Sequence, residues 1–267
     1  MLNFKYLVSV LCLVITIQTA SAQLGFSHEI GVIAGPLQFR SDFGNRDDSE
    51  TNFGNSGFGI GIVHYLNFSY RADCNCYTTD NFFNDHFKVR NEISWNRTKL
   101  EHLGKFVDAS RTSLDADRLR GHEGVANNFD IGTQLEFYPL SIRSFQSFGS
   151  RFAPFGSLGI HLTSYSPKVT TTFANSDPDL VGDVTNASNF YSQWDPGSVD
   201  ASPGVTWSIV SSVGVRYKLD KLSDLMLDFR VQHFFKDDID GLDHQLDSNK
   251  GNDWLVWLNI GYIYYLD

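Results

Sequence analysis

Beyond its N-terminal segment the chain has no apolar run approaching the ~20 residues of a membrane-spanning helix, so any passage through a bilayer must be made by strands. Cysteine is scarce. Only Cys12, Cys74 and Cys76 occur, and a Cys-x-Cys pair with His86 as the one histidine nearby in sequence does not make a four-ligand zinc site. Cys12 follows Val10 and Leu11 and not the small residues that a lipid-modified cysteine requires. The pair that remains, Cys74 and Cys76, suits an oxidising compartment as either a local disulfide or two free thiols. Positive charge is also in short supply, with 21 Lys and Arg against 31 Asp and Glu. The resulting net charge of −10 argues against nucleic acid as a partner, since phosphate binding needs clustered cations.

Cofactor and metal signatures are missing as well. Gly57-Phe-Gly59-Ile-Gly61 places glycine at every second position of a strand, not at the strand-to-helix turn of a dinucleotide fingerprint. On one strand face these glycines make room for aromatic neighbours. The acidic stretch Asp237-Asp-Ile-Asp-Gly-Leu-Asp243 lacks the spacing and closing Glu of a calcium loop and reads as a solvated loop. No cofactor and no metal site is expected.

What the chain does have is a marked beginning. A short start, Met1-Leu-Asn-Phe-Lys5, is followed by an apolar run from Tyr6 to Ile17 and by Ala20-Ser21-Ala22. That pattern predicts a signal peptide over residues 1–22, cleaved after Ala22, and one domain over residues 23–267.

In that domain, segments of about ten residues alternate between apolar and polar positions, the pattern of a transmembrane β-barrel. In the last segment Trp254, Val256, Leu258, Ile260, Tyr262, Tyr264 and Leu266 share one face, with aromatics toward both ends as interfacial girdles require. Similar segments fall near 28–38, 56–68, 87–97, 129–138, 152–165, 205–218 and 225–235. Eight strands are expected, with ten as the alternative, because the long linkers 98–124 and 167–203 have room for a further pair. Two residues break the apolar faces, His64 in the second segment and Asn91 in the third. His64 and His233 are placed at the membrane interface. Short and long linkers alternate, except for a long turn that holds the two cysteines, and an even strand number places both termini on the periplasmic side.

The inward faces carry five acids, Glu29, Glu92, Asp130, Glu136 and Asp228, and five bases, Lys88, Arg90, Arg216, Lys218 and Arg230. Buried charge is tolerable when paired, and eight strands enclose just enough space for side chains to fill. A salt-bridged, plugged lumen follows as the expectation.

Several stretches bear a resemblance to a known group. Gly57-Phe-Gly-Ile-Gly61, Phe152-Ala-Pro-Phe-Gly-Ser-Leu-Gly159 and Ser212-Val-Gly-Val-Arg-Tyr-Lys218 with its short Leu-Asp-Lys turn resemble small outer-membrane barrels of Bacteroidota. The stretch Leu227–Asp243 is similar to PorG-like barrels associated with type IX secretion. Arg71-Ala-Asp-Cys-Asn-Cys-Tyr77 and His64-Tyr-Leu-Asn67 resemble a flavobacterial family of the same kind. The resemblance implies an outer-membrane barrel in contact with lipid and, among partners, with other envelope proteins.

No nucleophile and base pairing can be read among His102, His122, His233 and His244, and scattered loop histidines read as polar surface. The functional expectation is a structural or accessory barrel in an envelope assembly, not an enzyme. The alternatives are a narrow transporter for small amphipathic molecules and a rim-located envelope hydrolase or acyltransferase.

Overall fold

The computed structural model describes residues 27–68, 82–244, 246–247 and 249–266. The expected signal peptide and the Cys74, Cys76 pair lie outside the described residues. Nine strands are present among them: β1 (Ser27–Arg40), β2 (Ser56–Asn67), β3 (Phe87–Glu101), β4 (His122–Phe137), β5 (Phe152–Tyr165), β6 (Lys168–Thr171), β7 (Gly204–Lys218), β8 (Ser223–Phe234) and β9 (Trp254–Tyr265). Each long strand pairs antiparallel with its neighbour in the chain, β5 pairs with β7, and β9 returns to β1 through Glu29↔Tyr265 to Arg40↔Trp254. The chain is a closed, eight-stranded antiparallel β-barrel. The four-residue β6 pairs with His122–Val125 of β4 and extends the wall above the ring without joining it, so the ten-strand alternative is not what forms.

Alternation sets the two faces. Along β9 the buried Leu255, Trp257, Asn259, Gly261, Ile263 and Tyr265 point inward, while Leu258, Ile260, Tyr262 and Tyr264 lie exposed outside. The same holds around the ring, and the exposed side is mostly apolar: Ile260 is 62% exposed, Val213 64%, Leu158 62% and Ile62 56%. Aromatics edge this belt. Phe87, Phe137, Phe152 and Tyr217 lie toward the turn end, and Trp95, Phe129, Trp207 and Trp254 toward the loop end. From Phe87 to Trp95 eight residues at ~3.3 Å each, tilted by about 40°, rise about 20 Å, close to the height of a barrel's lipid-facing band.

Inside, small residues answer large ones. A Cβ on Gly59 would stand 2.5 Å from Cζ2 of Trp257, so the indole occupies the space that glycine leaves. Trp257 also donates its Nε1–H to the carbonyl of Gly35 at 3.1 Å.

Candidate functional site

Two regions gather chemically active groups: the lumen and the cap over the loop end of the barrel. In the lumen, inward alternation brings charges from distant strands together. Near the turn end Glu29 of β1 accepts from Lys88 of β3 at 2.6 Å and from Arg216 of β7 at 2.6 Å. Arg216 also lies 4.1 Å from the Tyr65 ring and 3.8 Å from Glu136. One layer up, Arg90 meets Glu92 at 2.9 Å, Asp228 at 3.0 Å and Glu136 at 3.5 Å. Arg230 holds both oxygens of Glu92 at 2.6 Å and stacks 4.9 Å from the Trp257 ring. These groups are almost fully buried.

Nine of the ten charges expected in the lumen therefore meet in ion pairs. Lys218 pairs with Asp224 at 3.2 Å, a further inward acid that falls in step with Asp228 along β8. Asp130 differs from the expectation. Its carboxylate is held by neutral donors, Thr163 at 2.5 Å, Gln232 at 2.8 Å and Asn96 at 3.2 Å, because the strands facing it carry amides and hydroxyls at that level. Above this amide layer the mouth of the lumen is apolar, with Phe39 and Phe234 stacked at 5.8 Å beside the buried Leu255 and Leu100.

The cap is built from four long connections, 41–55, 102–121, 166–203 and 235–253. Local turns shape each of them. The helix Leu114–Gly121 starts where Ser113 accepts from the Ala116 N–H, and its Asp115 also accepts from Ser192 Oγ at 2.7 Å, joining the second connection to the third. Each connection then contributes one ring to a shared cluster: Phe43, His102, Trp194 and His244, with His122 added from the end of β4. Phe43 stacks 5.0 Å from His102 and 5.0 Å from His122. His102 Nε2 lies 3.0 Å from His122 Nδ1, and Trp194 packs against His102, His122 and His244 at 5.6, 5.3 and 5.7 Å. Burial, with His122 and His244 as further causes, holds the His102 imidazole well below the ordinary histidine range, and burial lowers that of His244. The expectation that these histidines are polar surface is overturned. His122 and His244 are buried, because the loops fold back over the mouth and place aromatic rings on them.

Beside the rings lies an acidic cluster around one cation. Arg46 pairs with Asp42 at 2.7 Å, with Asp253 at 2.9 Å and with Asp237, and donates to the carbonyl of Asn249 at 2.5 Å. Asp240 accepts from the Asp42 N–H at 3.1 Å. Burial, more than any other cause, pushes the carboxyls of Asp42, Asp240 and Asp253 up and that of Asp237 up to about 7, since one guanidinium serves four acids. The stretch expected to be a solvated loop is therefore partly a packed one. Oxygens of Asp42, Asp237 and Asp243 come within 4.8 Å of one another, but the Arg46 guanidinium already pairs with two of these acids. Rings and acids border a cavity of about 190 Å³ lined by Asp42, Phe43, His102, Trp194, His244 and Asn249 among others.

No protein-family model matches the sequence, and no curated protein matches it. Among solved structures the chain is similar to Neisserial surface protein A, with 11% identity and a TM-score of 0.44 over 89% of this chain and 96% of that one. It is also similar to Ail of Yersinia pestis, with 9% identity and a TM-score of 0.41 over 91% and 100%. A major outer membrane protein from Thermus thermophilus gives 14% identity and a TM-score of 0.45 over 90% and 99%.

Proposed function

We propose that this chain is an outer-membrane barrel that serves as a closed structural or accessory body of the envelope, with its termini and short turns on the periplasmic side and its cap outside. The observation that carries this reading is a lumen crossed by buried ion pairs inside a wall whose outer face is apolar round the ring but for a few polar positions, His64, Asn91 and Thr133 among them. A soluble monomer rarely exposes a contiguous apolar patch beyond a few hundred Å², whereas lipid covers such a belt without cost. Charged pairs from β1, β3, β4, β7 and β8 fill the interior that an aqueous pore would need open.

The non-enzymatic reading is supported by how the outer histidines are used. His102 and His122 face each other, His244 Nε2 lies 3.7 Å from Asp42, and among the described residues no Ser, Thr or Cys side chain bonds to these three rings. Reconstitution into planar bilayers tests the closed lumen: the wild-type protein should be electrically silent. A steady open conductance would overturn the reading in favour of a narrow transporter. The accessory role is tested by the native size of material extracted in mild detergent, which should exceed that of the barrel alone and contain the same companion proteins each time.

A further inference from the structure

His64 and Asn91, which break the apolar pattern, are cross-strand partners, and Asn91 is in turn the partner of Thr133. The three side chains therefore form a lateral row across β2, β3 and β4 on the outward face. Its depth follows from the register. Asn91 is midway between Phe87 and Trp95 on β3, and Thr133 midway between Phe137 and Phe129 on β4, so these two lie at the middle of the belt, while the row continues through His64 to Ile30 and Tyr264 toward the turn end. His233 is the cross-strand partner of Trp254 at the loop end.

Polar groups at mid-depth in hydrocarbon are costly and call for partners. Part of the row is satisfied within the chain. Asn91 Nδ2 lies 3.4 Å from His64 Nδ1, and His64 Nε2 lies 3.0 Å from Nδ1 of His28, whose ring stacks on it at 5.3 Å. With neutral rings the contacts are satisfied in one direction: the Asn91 amide N–H donates to His64, and the His64 Nε2–H donates to His28. One of the two Asn91 amide N–H bonds is thus engaged within the chain. Among the described residues, Asn91 Oδ1 and Thr133 Oγ1 make no hydrogen bond.

We propose that the β2–β4 face is the interface of a homodimer within the membrane, with Asn91 and Thr133 at its centre. This inference rests on the membrane reading above. A two-fold axis along the membrane normal keeps every residue at its own depth, so the Asn91 and Thr133 pair of one copy meets the same pair of the other. Such an interface is isologous. The Asn91 acceptor of each copy then faces the Thr133 hydroxyl of its partner, and two equivalent hydrogen bonds satisfy the four groups that lipid cannot. Flat contact is possible because the neighbouring outward positions are the aliphatic Ile62, Ile93, Ile131 and Ile160, which with His64 and Asn91 line a shallow groove.

The test uses the full mature protein in phospholipid vesicles at falling protein density, with subunits counted by single-molecule photobleaching. Dimers are expected for the wild type. Asn91→Leu combined with Thr133→Val should raise the dimer dissociation constant roughly tenfold, the order expected for two hydrogen bonds in a bilayer. The heat-modifiable mobility of the folded barrel should not change, because both replacements suit a lipid-facing wall. Wild-type monomers at every density, or dimers of unaltered strength in the double variant, would overturn the proposal. Failure of the wild type to enter vesicles at all would overturn the membrane reading instead, and the dimer with it.

Discussion

Arg230 of β8 grips both carboxylate oxygens of Glu92 of β3 at 2.6 Å, and because β8 and β3 are not neighbours in the ring, the pair bridges the lumen. Removing one partner leaves an uncompensated buried charge. Arg230→Ala and Glu92→Ala should each cost about 3–5 kcal/mol. Replacing both by apolar residues of similar volume should cost much less. Urea unfolding followed by tryptophan fluorescence checks this; single and double variants of equal stability would show that the pair does not act as one unit.

Gly59 and Trp257 occupy a single space between them. Gly59→Val would drive a branched side chain into the indole and should cost about 1–3 kcal/mol, while Trp257→Ala should cost about 3–5 kcal/mol through the cavity it leaves. The same unfolding transition, read by the mobility shift of the folded barrel on gels, measures both. A neutral Gly59→Val would show that the indole has somewhere else to go.

In the cap, Asp237 is pushed up to about 7, mainly by burial and then by Asp42. The folded state therefore holds a proton that the unfolded chain releases near pH 4, and cap stability falls as pH rises from there through about 7. Asp237→Asn should strengthen the cap above pH 7 and make no difference near pH 4. His102 and His244 act with the opposite sign: neutral when buried, they cost stability as pH falls below the ordinary histidine value, and His244→Gln should soften that acid limb. Protease cleavage within 235–253, measured from pH 4 to pH 8, separates the two. A cleavage rate in Asp237→Asn equal to wild type at pH 8 would refute the first.

Arg46 is the cation that Asp42, Asp237 and Asp253 share. Arg46→Ala should release the connections 41–55 and 235–253 from each other, at a cost of about 3 kcal/mol, while the barrel wall stays folded. Hydrogen exchange would show this as lost protection in those two segments and unchanged protection in β1 and β9.

The wall was legible in the sequence because one rule, alternation with period two, operates locally. It located β5 and β9 and assigned the inward charges, and Asp224 obeys it too. Alternation marks β4 only from residue 129, although the strand begins at His122. The reason is long-range: Gly124 looks like loop, yet a Cβ there would stand 2.4 Å from the ring of Phe43. The cap was legible only as length. Phe43, His102, Trp194 and His244 come from four separate connections, and nothing near any of them in sequence marks the others as neighbours. Packing among loops has no period to read.

The seam of the ring joins β1 to β9, the two long strands furthest apart along the chain. Every other strand pairing is made with a sequential neighbour in the ring, so the wall can grow hairpin by hairpin, but this last one closes the longest loop and comes late. Until it zips, the growing sheet carries two bare edges with unpaired backbone groups, which are templates for wrong pairing. Assembly is therefore most vulnerable to aggregation just before completion, and a helper that shields the edge of β1 or guides β9 onto it would govern the yield of folded barrel.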